Sequence, residues 1–216
     1  MRGEKAVTVR RQKVKRNNIK LRLSFFLALT AVLLIVTLFA DKLTPYDPYL
    51  QNYDISFQPP STEHWMGTDR YGRDLFSRVL VGGQASIFST LALVAIISVF
   101  GTVVGVGCGY FGGKLDAVVM RISDVCLAFP GLVFALAVAA LLNGGIVNAV
   151  IALAVISWPK YSRVARSQTL AQKNSSYVHA ALLAGDTPIQ VISRHVLPNI
   201  LGPILVTAML DIGTMM

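Results

Sequence analysis

Residues 79–113, VLVGGQASIFSTLALVAIISVFGTVVGVGCGYFGG, run for thirty-five positions without a charged side chain. A bilayer crossing needs only about 20 apolar residues, so this run holds one membrane helix, expected at about Gln84 to Gly109, with flanks in the interfacial layers. Gly101, Gly105, Gly109 and Gly113 recur in it every four residues. On a membrane helix that spacing leaves a smooth stripe against which a second backbone can lie.

The rest of the chain has the same character. Of its 216 residues, 54% are hydrophobic and only 14% charged, too apolar for a soluble domain of this size. The net charge of +9 would suit a nucleic-acid binder, but nine of the twenty Lys and Arg fall in residues 1–22, against the single acid Glu4. That bias predicts a basic cytoplasmic tail beside anionic lipid, with no nucleic-acid partner. Leu23 to Ala40 follows without a charge; at 1.5 Å per residue it covers roughly 27 Å, enough for a first transmembrane helix. A signal peptide is disfavoured, because no small-x-small cleavage site precedes Asp41-Lys42.

From these starting points the crossings alternate. Residues 41–83, rich in Pro, Tyr and acids, are placed outside, and 84–216 form a transmembrane core that contains the loop 160–195. After the connection Lys114 to Asp124, the uncharged stretch Val125 to Pro159 is divided by Asn143-Gly144-Gly145 into spans at about Val125 to Leu142 and Ile146 to Trp158, which Pro130 and Pro159 are expected to flank or bend. Residues 160–195 carry Lys160, Arg163, Arg166, Lys173 and Arg194 against one acid, Asp186, and are placed inside. A fifth helix starts at Val196, with Asp211 near its far end. The fold class is an all-α polytopic helical bundle.

Two stretches outside the spans carry motifs. His64 to Ile87 gathers Asp69, Arg70, Arg73, Asp74 and Arg78 just before a membrane helix, with Gly67, Gly72, Gly82 and Gly83 as expected turn points. It reads as a self-neutralising ion network at the membrane surface, structural or gating. Tyr177 to Pro203, YVHAALLAGDTPIQVISRHVLPNILGP, reads as two short helices joined by a tight turn. Ser176 is the expected first cap, with Val178, Ala181 and Leu182 on one face, and Gly185 is the residue that ends the helix. Thr187 caps the second helix, Pro188 takes its first position and Gln190 completes a capping box.

Chemistry is otherwise absent from the pattern. Gly112-Gly113-Lys114 is followed by Leu115 and lacks the phosphate-loop spacing. His64, His179 and His195 are far apart in sequence, Cys108 and Cys126 have no paired spacing, and no metal site, bound cofactor or catalytic centre is expected in this chain.

Pro59 to Ile87, PPSTEHWMGTDRYGRDLFSRVLVGGQASI, closely resembles the Gly-Thr-Asp-x-x-Gly-Arg-Asp-x-x-Ser-Arg signature of the C-type permease subunits of dipeptide, oligopeptide and nickel ABC importers, with Gly67, Thr68, Asp69, Gly72, Arg73, Asp74, Ser77 and Arg78 at the signature positions. Tyr177, Ala180, Ala181, Gly185, His195, Pro198 and Asn199 stand where the same family's EAA loop expects them. PYDP at Pro45 to Pro48, GYFGGKLD at Gly109 to Asp116 and WPKYSRVAR at Trp158 to Arg166 extend the likeness over most of the chain from about Leu43.

The resemblance implies a type I ABC importer permease in a prokaryotic inner membrane, N-terminus in the cytoplasm, with about five of an expected six spans present. It implies a homologous second permease, two cytoplasmic ATPases holding ATP and Mg, and an extracytoplasmic substrate-binding protein as partners. The cargo would be peptides or nickel and metal chelates, and the EAA-like loop, including Thr187 and Pro188, would seat in the ATPase. Two departures stand out. The loop's namesake glutamate is His179 here, and the family continues through a further loop and helix, so a truncated, non-transporting assembly subunit is the alternative.

Overall fold

A computed structural model describes the backbone from Arg2 to Met216 and the side chains from residue 19 onward. Residues 1–18 of the expected basic tail therefore lie outside the described side chains. Every regular element among the described residues is helical, and the only β pairing is an isolated bridge between Thr68 and Asp74. The chain forms two compact units, Met1–Ala85 and Ser86–Met216.

The first unit contains α1 (Arg2–Leu38), the single turn α2 (Ala40–Leu43), an irregular loop with one 3₁₀ turn at Tyr53–Ile55, and the opening turns of α3 (Leu75–Phe111). Ile19–Leu38 is long and apolar enough to cross a membrane. The predicted loop is nine residues too long, because α3 starts at Leu75 rather than near Gln84. Asp74 explains the early start: its carboxylate accepts the Ser77 N–H at 2.7 Å, satisfying a donor that the first helical turn leaves free. Gly82 and Gly83, expected as turn points, lie within that helix.

The second unit holds the rest of α3, then α4 (Gly113–Ala128), α5 (Gly131–Leu141), α6 (Ile146–Lys173), α7 (Ser176–Leu183), α8 (Pro188–Val191), a π-helical turn (Ile192–Val196) and α9 (Leu197–Met215). The span expected over Val125–Leu142 is broken at Pro130, a residue expected to flank or bend it. There α4 and α5 meet at 87°, a bend placed by Pro130, which forces Phe129 into extended backbone (φ −89°, ψ 139°). The short span expected at Ile146–Trp158 is the first half of α6, which continues through Pro159 to Lys173. The first fourteen residues of the predicted cytoplasmic loop are therefore helix. By length and composition three described helices can cross a membrane, Ile19–Leu38, Leu75–Phe111 and Pro188–Met215, or four if the bent pair is one broken span.

The core of this unit is a seam where Ile97, Val106 and Tyr110 of α3 and Tyr161 and Ala165 of α6 join Val178, Val191, Ile200 and Ile204 from the C-terminal helices. Large apolar side chains elsewhere point outward, Leu132 at 73%, Leu141 at 83% and Met209 at 69% exposed. That inversion suits a lipid surround, where apolar side chains need no burial.

Candidate functional site

The signature loop closes on itself. Thr68 is buried, donates its hydroxyl to the Ile55 carbonyl and accepts the Gln58 N–H at 2.9 Å. Asp69 accepts the N–H groups of Tyr71 at 2.8 Å and Arg73 at 3.1 Å, and the Arg73 guanidinium at 2.7 Å, with Arg78 at 3.6 Å. Burial raises its carboxyl pKa, but the Arg73 side chain and the backbone donors outweigh that and hold it down to about 2. Gly67 and Gly72 adopt positive φ, and a Cβ at either would lie 2.3 Å from the Gln58 carbonyl oxygen or 1.6 Å from that of Asn52. Only glycine fits those turns.

Asp74 does two further things. Its Oδ1 binds His64 Nδ1 at 3.0 Å, and the Ser77 hydroxyl donates at 2.6 Å to Oδ2, the oxygen that also accepts the Ser77 N–H. Burial pushes its pKa up, and the bonds from Ser77 and His64 bring it below the ordinary carboxylate value. Sequence spacing did not connect His64 to this trio, although Asp-x-x-Ser just ahead of an apolar run is a readable cap. The carboxylate stands between imidazole and hydroxyl, so the trio lacks the direct serine–histidine contact of a nucleophilic triad and holds the loop to α3.

In the second unit the chain after α6 builds a knob. Ser175, not Ser176, is the residue before α7, and its hydroxyl turns back to the Gln172 carbonyl at 2.6 Å. His179 is consequently the fourth helical residue rather than the third, where no capping box can form, and its Nδ1 lies 3.0 Å from the Ser175 carbonyl. At the other end Gly185 takes φ +96°, Asp186 N–H reaches the Ala181 carbonyl and Gly185 N–H that of Leu182, each at 3.1 Å. This is a Schellman turn. Thr187 and Gln190 form the reciprocal capping box, with Pro188 at the first helical position.

Side chains tie the knob to α9. Asp186 binds His195 at 3.1 Å, the Tyr177 hydroxyl donates to Gln172 at 2.5 Å, and Asn199 donates to the Tyr177 hydroxyl at 3.2 Å and the His195 carbonyl at 2.7 Å. Tyr177, His195 and Asn199 thus form one network, with Pro198 at the start of α9. Val178 and Ala181 are buried, whereas Leu182 is 43% exposed rather than turned inward. Ala180 is exposed, and Leu183 and Ile189, which the sequence did not single out, stand 90% and 75% exposed on either side of the turn. The knob therefore presents an apolar tip.

The glycine stripe lies on α6. A Cβ at Gly101, Gly105 or Gly109 would sit 2.6, 2.2 or 2.9 Å from the carbonyl oxygens of Trp158, Ser162 and Arg166. Gly113 does not share this role; it opens α4 with φ +65° and open space around it, because α3 has ended at Phe111. The basic residues of α6 are matched by acids on other helices. Lys160 pairs with Asp211 of α9, Arg163 with Asp124 and Arg166 with Asp116 of α4, the last through two bonds at 2.5 and 2.6 Å. Lys173 donates to the Tyr110 carbonyl at the end of α3 at 2.6 Å. Asp211 is only 2% exposed. These residues act as interhelical clamps, not as the free loop charges expected from their sequence neighbourhood.

Comparison with known proteins agrees with this architecture. Residues 101–216 match the family described as the binding-protein-dependent transport system inner membrane component. The chain is 43% identical over 183 residues to the probable D,D-dipeptide transport system permease protein of Escherichia coli strain K12, covering 85% of this chain and 61% of that protein. It is 40% identical over 185 residues to the glutathione transport system permease protein of Shigella dysenteriae serotype 1, with the same coverages of 85% and 61%. The chain thus spans about three-fifths of the length of these relatives. It belongs to the family of binding-protein-dependent transport system inner membrane components.

Proposed function

We propose that this chain supplies half of an alternating-access pathway for peptides or peptide-like solutes, driven by ATP that partner subunits hydrolyse. The relatives' printed names, D,D-dipeptide and glutathione, support that cargo class; nickel and metal chelates rest on the signature resemblance alone. The partners would be a second permease, two cytoplasmic ATPases holding ATP and Mg, and an extracytoplasmic binding protein. The N-terminus would lie in the cytoplasm.

The observation that carries the reading is the knob. Its helices end in a Schellman turn and begin in a full capping box, and its tip exposes Leu183 and Ile189. A body so closed can move as a unit when a partner groove moves, whereas a floppy loop would absorb the motion. Apolar side chains at a rigid tip are the anchors that interfaces use. The test is ATPase activity of the complex reconstituted with its partners in lipid. Loaded binding protein should raise the activity, and Leu183→Glu should reduce that stimulation by about tenfold or more. Transport with no ATPase subunit, or full stimulation of the Leu183→Glu complex, would overturn the proposal. Wild-type uptake by cells whose sole C-type permease is this chain would dispose of the non-transporting alternative.

A further inference from the structure

The first unit contains a cavity of about 510 Å³ where α1 ends and α3 begins. Val36, Phe76 and Leu80 form its half-buried floor, and Tyr46, Glu63 and Trp65 its exposed rim. The floor residues belong to the last turns of one candidate membrane span and the first turns of another. The slot therefore lies at the level where hydrocarbon gives way to head groups, the depth that Trp and Tyr side chains favour.

Its charge is one-sided. Glu63 makes no ion pair or hydrogen bond among the described residues, and the buried Asp74 behind it, already held by His64 and Ser77, adds a second negative group. An apolar floor beneath an unpartnered carboxylate suits a molecule with a hydrocarbon chain and a cationic, hydrogen-bonding head. An anionic head would meet two acids.

We propose that this slot binds an aminophospholipid, phosphatidylethanolamine, its acyl chain along Val36, Phe76 and Leu80 and its ammonium on Glu63. The lipid would fill the gap between the two helix ends and brace the signature loop from the membrane side. This inference requires only a membrane-embedded chain and holds whether or not the chain transports.

The test is native mass spectrometry of the purified full chain in mild detergent, offered equal amounts of phosphatidylethanolamine and phosphatidylglycerol with identical acyl chains. The ethanolamine lipid should be retained about tenfold over the glycerol lipid, the effect of one charge-assisted contact. Glu63→Gln should bring that ratio close to one, and Trp65→Ala should weaken retention of both lipids. Glu63 is exposed and unbonded, so its replacement leaves folding intact, as circular dichroism will verify. Leu141→Ala, on α5 and outside the slot, should keep the wild-type ratio. Equal retention of the two lipids by the unaltered chain, retention of neither, or an undiminished preference in Glu63→Gln would overturn the proposal.

Discussion

Gly105→Ala adds one methyl group where α3 and α6 touch. The new Cβ would lie 2.2 Å from the Ser162 carbonyl oxygen and 2.8 Å from the Ala165 Cβ. Ordinary carbon–oxygen contact is about 3.3 Å or more, so the helices must separate by about 1 Å at that point. Neither neighbour can rotate away, since one is backbone and the other a methyl with no rotamer. A gap of that size forfeits a quarter to a half of each dispersion contact along the seam, and overpacked cores lose about 1–3 kcal/mol. With backbone as the obstacle, the upper end is expected, about 3 kcal/mol, or roughly a hundredfold in the folding equilibrium. Gly107→Ala is the matched control: it lies on the same helix two residues away, has nothing within 4 Å of its Cβ, and should be neutral or slightly stabilising through helix propensity. Denaturant unfolding of both variants in the same micelle, followed by tertiary fluorescence, gives the comparison. Equal stability of the two variants would refute the packing role assigned to the stripe.

Other expectations follow from the same geometry. Thr187→Ala removes one half of the capping box and should destabilise α8 by about 1 kcal/mol, seen as faster amide exchange over residues 188–191. Asp211→Leu alone should cost about 2 kcal/mol by leaving Lys160 unpaired, and the double change with Lys160→Met should recover most of it; strict additivity in unfolding experiments would exclude a clamp. Asp69 and Asp74 both have depressed pKa values, so their stabilisation is complete above the ordinary carboxylate value near 3.8 and is lost as pH falls through the folded values, about 2 for Asp69. Proteolysis of the 44–74 loop should accordingly stay constant from neutral pH down to about 4 and rise below that.

The features that local chemistry controls were legible. Run length pointed to the three candidate spans near Leu23–Ala40, Gln84–Gly109 and Val196–Leu210, Gly101, Gly105 and Gly109 marked a face of close helix approach without naming α6 as the partner, and Thr187-Pro188-Ile189-Gln190 spelled the cap that α8 carries. What escaped depends on residues distant in sequence or on competition between neighbours. Lys160, Arg163 and Arg166 look like loop charges until Asp211, Asp124 and Asp116 meet them from 39 to 51 residues away. His64 joins Asp74 only because the loop folds back across ten residues. Ser176, the expected cap, is instead the first residue of α7, with Ser175 before it bonded back to Gln172, which moves His179 one position along the helix. Pro130 was legible as a residue that flanks or bends a span, but the uniform hydrophobicity on either side of it gave no measure of the 87° turn.

The charged column on α6 also bears on how the chain is made. Asp116 and Asp124 leave the ribosome before α6, so acids are already waiting for Arg163 and Arg166. Lys160 has no such partner until Asp211 is synthesised 51 residues later, roughly 3–10 s at ordinary elongation rates. Until then α6 carries an uncompensated ammonium into a setting that penalises it, and it is not among the helices apolar enough to hold a membrane position alone. The Lys160–Asp211 clamp between α6 and α9 is therefore the last of the three to become available, after both α4–α6 pairs.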